Sequence, residues 1–260
     1  MQPIEIYKTC APSVANVVIK RGGQRVSSGT GFLLNNHLIT CAHVLDVPND
    51  CQIDVVFEKA AASQTQVWSY PNKAALTMKG HSAEHSYDYA IVAPPAGVTL
   101  GPSLRFAQTL PDIGTEVCGL GYPFDDPHLT ISAGLLSASF QSGPATMLKL
   151  DMSVNPSNSG GPLLLRDTGE VLGVIARKAT GLTTAFDQLL KSFDDNIALL
   201  QSRSTGGSVA IMGVDPIQAL MSSQAQMKMV SMEIKRSANV GIGYAVWHQP
   251  LSSEAALKIP

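Results

Sequence analysis

The chain has 260 residues, 45% of them hydrophobic and only 15% charged, which is long enough to bury a large core and too apolar for a disordered protein. Its formal net charge is −2 and no block of like charges occurs, so neither nucleic acid nor an anionic membrane surface is expected as a partner. No apolar run approaches the roughly 20 residues that a membrane-crossing helix needs.

The N-terminal stretch has no positively charged segment followed by a continuous apolar one, so it does not read as a signal peptide. The four cysteines, Cys10, Cys41, Cys51 and Cys118, are scattered and form no CxxC pair. Reduced thiols and a cytoplasmic location are the expectation, unless a leader lies outside this sequence.

Taken in chain order, the first 180 residues predict many short strands, among them 14–20, 31–35, 53–57, 89–93, 117–121, 129–137 and 171–176. They are β-branched or apolar, and Gly, Pro, Asn or Asp punctuate them, which points to an all-β barrel or sandwich. The Pro- and Gly-rich stretch 94–114 interrupts the pattern and reads as a linker. From Thr183 the pattern changes: Phe186, Leu189, Leu190, Phe193, Ile197 and Leu200 recur at helical spacing, with Thr183 or Thr184 as cap. Asp215 and Pro216 start a second helix that runs to Lys235 and carries Met221, Met227, Met229 and Met232. These methionines are expected to pack the helix pair onto a barrel; an adaptable contact surface for a partner is the second reading. A strand returns over 240–246, and Ser252 or Ser253 can cap one last short helix.

Three segments carry chemistry. In NPSNSGGPL, residues 155–163, Ser159 lies in a Gly-flanked turn that exposes its hydroxyl and gathers backbone N–H groups. A serine hydroxyl needs a base to take its proton, and His43 supplies one at the end of LITCAH, residues 38–43. An imidazole in turn needs an acid to fix its tautomer and stabilise its charged form, and Asp88 opens the apolar run DYAIV. Each alone is ordinary; together, in the order His, Asp, Ser, they spell a nucleophilic triad.

These segments resemble the HtrA (DegP-like) branch of the trypsin-like serine proteases. SSGTGFLL (27–34) with LITCAH resembles the histidine region, DYAIV the aspartate motif, and GYP (121–123) with TISAGLLSA (130–138) the run that follows. NPSNSGGPL resembles the nucleophile loop, GEVLGVI (169–175) the strand beyond it, and VGIGYAV (240–246) the closing strand. The likeness covers about residues 1–176 and 238–250. It implies two six-stranded antiparallel β-barrels, chymotrypsin-like, with the triad between them. Residues 1–110 would form the barrel with His43 and Asp88, and residues 111–260 the barrel with Ser159. A helical insertion, about 183–237, interrupts the second barrel. The implied activity is peptide-bond hydrolysis through an acyl-enzyme, with no cofactor and no metal.

The sequence departs from that branch in three ways. Ser157 stands where the family has Gly, at a position whose backbone N–H would join that of Ser159 in an oxyanion hole. The insertion replaces a short loop, and no PDZ domain follows within these 260 residues. The primary pocket is expected near Ser153 and Val154, and substrate is expected to add a strand beside Ala176, Arg177 and Lys178. A partner protein at the helical insertion is a further expectation. Ser157 and the insertion also motivate a competing reading, a catalytically silent or latent homologue that binds peptides or a partner. One decoy is His81, Glu84 and His85, which fit the H-x-x-E-H zinc pattern without the helix that pattern requires. His37, His128 and His248 are expected to be surface or core polar groups, and Cys41 a buried structural thiol.

Overall fold

The computed structural model describes residues 1–58, 65–83, 86–98, 100–178, 183–204, 215–237 and 241–258. The chain divides into two units, one formed by Met1–Ala179 with Gly241–Pro260 and the other by Thr180–Val240.

The first unit opens with helix α1 (Pro3–Cys10), followed by seven strands of one sheet: β1 (Val14–Arg21), β2 (Gln24–Leu34), β3 (His37–Thr40), β4 (Cys51–Phe57), β5 (Gln66–Tyr70), β6 (Met78–Ser82) and β7 (Tyr89–Val92). Their spatial order is β5-β4-β1-β2-β3-β7-β6. Two hairpin turns set the register. Arg21 pairs with Gln24 around Gly22 and Gly23, and Leu34 pairs with His37 around Asn35 and Asn36. All four corner residues have positive φ, the condition for the two-residue turn whose twist matches paired strands. Gly and Asn reach that region at least cost.

Six further strands, β8 (Glu116–Gly121), β9 (Thr130–Ser142), β10 (Ala145–Asp151), β11 (Pro162–Leu165), β12 (Val171–Lys178) and β13 (Ile242–Trp247), close into a barrel in the order β10-β13-β12-β11-β8-β9. Val117, Leu136, Leu148, Leu150, Leu163 and Leu172 fill it, a core separate from the one centred on Phe32, Leu38, Ile39, Ile91 and Trp68. Each such side chain contributes about 1.5–3 kcal/mol on burial.

The expectation of two six-stranded barrels is corrected in the first half. There the sheet has seven strands, and its edges β5 and β6 do not pair with each other. Strand β6, of sequence MKGHS, has little β-propensity and shifts register between Met78 and Gly80 where it pairs with β7. It is held by ladder hydrogen bonds rather than by its own pattern.

The second unit is a pair of helices, α2 (Thr183–Ser204) and α3 (Pro216–Ser237), between β12 and β13 in sequence. Lys235 pairs with Asp187 and Lys228 with Asp194, contacts one heptad apart that fix an antiparallel register. On α2 the half-buried residues Phe186, Leu190, Phe193, Ile197 and Leu200 repeat at heptad spacing. On α3 the less exposed positions include Gln224, Lys228, Ser231 and Lys235, whereas Leu220, Met227, Met229, Val230, Met232 and Ile234 are exposed. Met221 is half-buried with Ile217 on the same stripe as Gln224 and Lys228, whereas Met227, Met229 and Met232 are exposed and do not pack against α2. Among the described residues no helix is long and apolar enough to cross a membrane.

None of the four cysteines is in a disulfide, and all are buried. Burial, with the Cys118 thiol nearby, pushes the Cys10 thiol up to about 11, which suppresses the reactive thiolate. An aromatic disulfide reagent at pH 8 should therefore leave the native protein unmodified over minutes and titrate all four thiols after denaturation. Rapid reaction of a native thiol would contradict this packing.

Candidate active site

His43 sits in the 3₁₀ turn Ala42–Leu45 that follows β3 directly. Asp88 precedes β7, which pairs with β3, so neighbouring strands deliver the two side chains to one place. The Asp88 Oδ2 accepts a hydrogen bond from the His43 Nδ1–H at 2.7 Å, and Oδ1 accepts from the His43 backbone N–H at 3.1 Å. These two hydrogen bonds fix the ring orientation and select the tautomer with the proton on Nδ1. Asp88 is almost fully buried, whereas the His43 side chain is 32% exposed. Burial, the largest influence, pushes the Asp88 pKa up. Hydrogen bonds and charge from His43, with a bond from the Cys41 thiol, outweigh it and hold the carboxyl below its ordinary value.

Ser159 lies between a turn and strand β11. Asn155 to Asn158 form a β-turn closed by the Asn158 N–H donating to the Asn155 carbonyl at 3.1 Å. Pro156 comes first in that turn and Ser157, with φ +71°, second, which defines type II geometry. A left-handed conformation costs a residue with a Cβ about 1–2 kcal/mol. Among the described residues the backbone N–H groups of Ser157 and Ser159 donate to no protein acceptor. Two donors two residues apart are thus left for an incoming anion.

The loop that carries Ser159 is bound to the first sheet through Thr30 on β2. The Thr30 N–H donates to the Ser159 carbonyl at 2.8 Å and its hydroxyl to the Ser157 carbonyl at 2.8 Å. Gly160 makes the approach possible: a Cβ there would lie 2.1 Å from the Thr30 carbonyl oxygen and 2.9 Å from the Cys41 backbone nitrogen, and its φ is +87°. The Cys41 thiol, fully buried, reaches the Ile175 carbonyl at 3.4 Å. His43, Asp88 and Ser159 are therefore carried on segments packed against one another.

The Ser159 hydroxyl donates to the Ala176 carbonyl at 2.9 Å. That carbonyl is turned out of the ladder by a bulge: the β12–β13 register shifts between Ile175 and Arg177, leaving Ala176 without an opposing residue. Arg177 pairs with Tyr244 and Lys178 with Gly243. Ser153 is exposed, whereas Val154 is 1% exposed and packs in the barrel core against Gly243. A cleft of about 470 Å³ opens beside His43, lined also by Leu45, Lys73, Leu76, Met78 and His81.

Cys41, His43 and Asp88 place potential metal-ligand atoms within 4.8 Å of one another. The His43 Nδ1 in that cluster is engaged by Asp88, so the set fits a hydrogen-bonded pair better than a cation. In the H-x-x-E-H run, His81 lies on strand β6, while Glu84 and His85 fall outside the described residues. His248 is a core residue, stacked on Phe106 at 4.3 Å with Nε2 on the Ala107 carbonyl at 2.7 Å. Burial there lowers its pKa. His128 is exposed, and His37 is half-buried with Nδ1 on the Asn35 carbonyl.

The sequence reading did not single out Thr30 or Asp125. The spacing Gly29-Thr30-Gly31 was the available signal for Thr30, since glycines on both sides mark a strand under close approach. Asp125 accepts from the Ser157 hydroxyl at 2.9 Å and the Ser28 hydroxyl at 2.6 Å, a contact across 32 residues that no local pattern encodes.

The sequence profile described as "Trypsin-like peptidase domain" matches residues 29–174, more than half of the chain. The chain belongs to that family. Within it, the chain is 28% identical over 191 residues to "Serine protease HTR4" of Rattus norvegicus, covering 67% of this chain and 36% of that protein. It is 29% identical over 158 residues to "Probable periplasmic serine endoprotease DegP-like" of Marinomonas sp. (strain MWYL1), covering 58% of this chain and 30% of that protein. It thus spans about a third of the length of these relatives. The fold is similar to that of a serine endoprotease from Yersinia pestis, with TM-score 0.54 and 23% identity, covering 69% of this chain and 58% of that one.

Two measurements probe this geometry. Because the folded-state pKa of Asp88 lies below the ordinary value, its ionised form stabilises the fold at neutral pH, and that contribution is lost as pH falls below about 4. Asp88→Asn should melt below the parent at pH 7, and the gap should narrow toward pH 3; a gap independent of pH would refute the assignment. Thr30→Val removes the hydroxyl that serves both Ser157 and the Tyr122 N–H, and should cost about 1–3 kcal/mol in urea unfolding.

Proposed function

We propose that this protein is a serine endopeptidase in which Ser159 is the nucleophile, His43 the general base and Asp88 the orienting acid. The observation that carries the reading is the His43–Asp88 pair, with Nδ1 bound at 2.7 Å, together with a serine whose loop is tied to the same sheet and offers two unengaged N–H groups. On this reading residues 1–110 and 111–260 form the two halves of a chymotrypsin-like fold, interrupted by the helical insertion.

The chemistry follows from these positions. Rotation about χ1 moves the Ser159 hydroxyl from the Ala176 carbonyl toward His43. Its oxygen attacks the carbonyl carbon of the scissile peptide while its proton passes to Nε2, and Asp88 stabilises the resulting imidazolium. The carbonyl oxygen becomes an anion that accepts hydrogen bonds from the N–H groups of Ser157 and Ser159. Collapse breaks the C–N bond, His43 returns its proton to the leaving amine, and an ester on Ser159 remains. Water, deprotonated by His43, then hydrolyses that ester. The released Ala176 carbonyl is positioned to accept a backbone N–H from substrate extended along Ala176, Arg177 and Lys178. Burial of Val154 leaves Ser153 as the nearer candidate for a pocket wall.

A protein partner at the helices is the second part of the proposal, supported by the exposed Leu220, Met227, Val230 and Ile234 on α3.

A fluorophosphonate probe should label the parent protein at Ser159, and Ser159→Ala should abolish both labelling and peptide cleavage while leaving the melting temperature within a few degrees. His43→Ala should lose nearly as much activity, because the pair acts as a unit. Cleavage retained in either variant, or lost in EDTA, would overturn the triad.

A further inference from the structure

We infer that Asp125 is a positioning residue for the oxyanion hole: by accepting the Ser157 hydroxyl it holds a non-glycine residue in the left-handed conformation that directs the Ser157 N–H. The inference rests on the oxyanion reading of the loop given above.

A type II turn needs positive φ at its second corner, and glycine supplies it without strain. Serine reaches it against a bias of the order of tenfold or more, so an untethered Ser157 would leave it readily. Three bonds oppose that escape. The Ser157 Oγ donates to the Asp125 Oδ1 at 2.9 Å, the Ser157 carbonyl accepts from the Thr30 hydroxyl at 2.8 Å, and the Pro156 carbonyl accepts from the Phe124 N–H at 2.9 Å. Two of the three come from one short segment, Phe124 and Asp125. The Thr30 and Phe124 bonds are to backbone carbonyls and are open to any residue at position 157; only the Asp125 bond uses the serine side chain.

Asp125 is itself held in place. It and Phe124 both sit at positive φ, +61° and +55°. The same Oδ1 accepts from the Ser28 hydroxyl at 2.6 Å, and the Arg25 guanidinium approaches to 3.8 Å. Arg25 Nε and Nη2 are buried and have no hydrogen-bond partner among the described residues, so their charge remains directed at the carboxylate. An acceptor held by Ser28 and Arg25, taking the Ser157 hydroxyl, substitutes for the missing glycine. The consequence is a specific coupling: Asp125 matters only while position 157 bears a hydroxyl.

The test is a cycle of Asp125→Ala, Ser157→Gly and the double variant, with Asp125→Asn as a conservative control that keeps an acceptor oxygen. Against a chromogenic peptide, Asp125→Ala should lower kcat at least tenfold with KM within about twofold. Affinity for a peptide boronate, which forms a tetrahedral adduct on Ser159, should fall in parallel. Asp125→Asn should recover most of the loss. In the Ser157→Gly background, adding Asp125→Ala should change kcat less than twofold. An equal loss in both backgrounds, or a loss confined to KM, would overturn the inference.

Amide hydrogen exchange over residues 155–161 provides a readout that does not need turnover. Protection of the Asn158 N–H should fall in Asp125→Ala and stay at the background value when Ser157 is glycine. If that pattern appears in a protein that neither cleaves peptide nor takes the fluorophosphonate, the peptidase reading fails and the positioning role stands. Unchanged protection in an active enzyme would sink the positioning role alone.

Discussion

The site depends above all on the way Thr30 is used. Its N–H, its carbonyl and its hydroxyl all make bonds outside the strand ladder: to the Ser159 carbonyl, the Thr40 hydroxyl, the Ser157 carbonyl and the Tyr122 N–H. The residue is fully buried, so each lost bond would leave a polar group without water to replace it. Its neighbours explain why it can be reached. A Cβ at Gly29 would lie 2.5 Å from Val44 beside His43, and one at Gly31 2.8 Å from Leu38 and 3.0 Å from the Ile39 carbonyl. The strand is pressed on one side against the turn that carries His43 and on the other against the loop that carries Ser159, segments more than a hundred residues apart in sequence.

Strain gathers around the same place. Asp88, Phe124, Asp125 and Ser157 all have positive φ without being glycine. Each conformation is opposed by contacts between Cβ and backbone, and each persists because side-chain and backbone bonds over-determine it. Asp88 illustrates the trade: its backbone N–H reaches the Ala83 carbonyl, and its carboxylate takes two bonds from His43. The result is a rigid array in which little reorganisation is left for the reacting state.

Much of this was legible in the chain. The runs around His43, Asp88 and Ser159 stood out because each couples a reactive residue type to a characteristic local setting, and strands such as β1, β4 and β8 followed from apolar and β-branched runs. Strand β6 was not legible, since MKGHS acquires strand form only from pairing with β7. The bulge at Ala176 was not legible either, because a register shift is a property of two strands. The polar seam of α3 escaped for a related reason. Its methionines said nothing of which face meets α2, because that is decided by the partner helix, where Asp187 and Asp194 select Lys235 and Lys228.

That inverted helix responds to ionic strength in two opposed ways. Two ion pairs, Lys235 with Asp187 and Lys228 with Asp194, join the apolar stripe of α2 in the seam, each worth little and screened further by added salt. The outer face, with Leu220, Met227, Val230 and Ile234, has the reverse dependence, because strongly hydrated anions such as sulfate drive apolar surface out of water. Raising the concentration of such a salt thus weakens the two ion pairs of the hairpin while making its exterior more adhesive. The solvent composition that best preserves the barrel is consequently the one in which the helices are most prone to self-association.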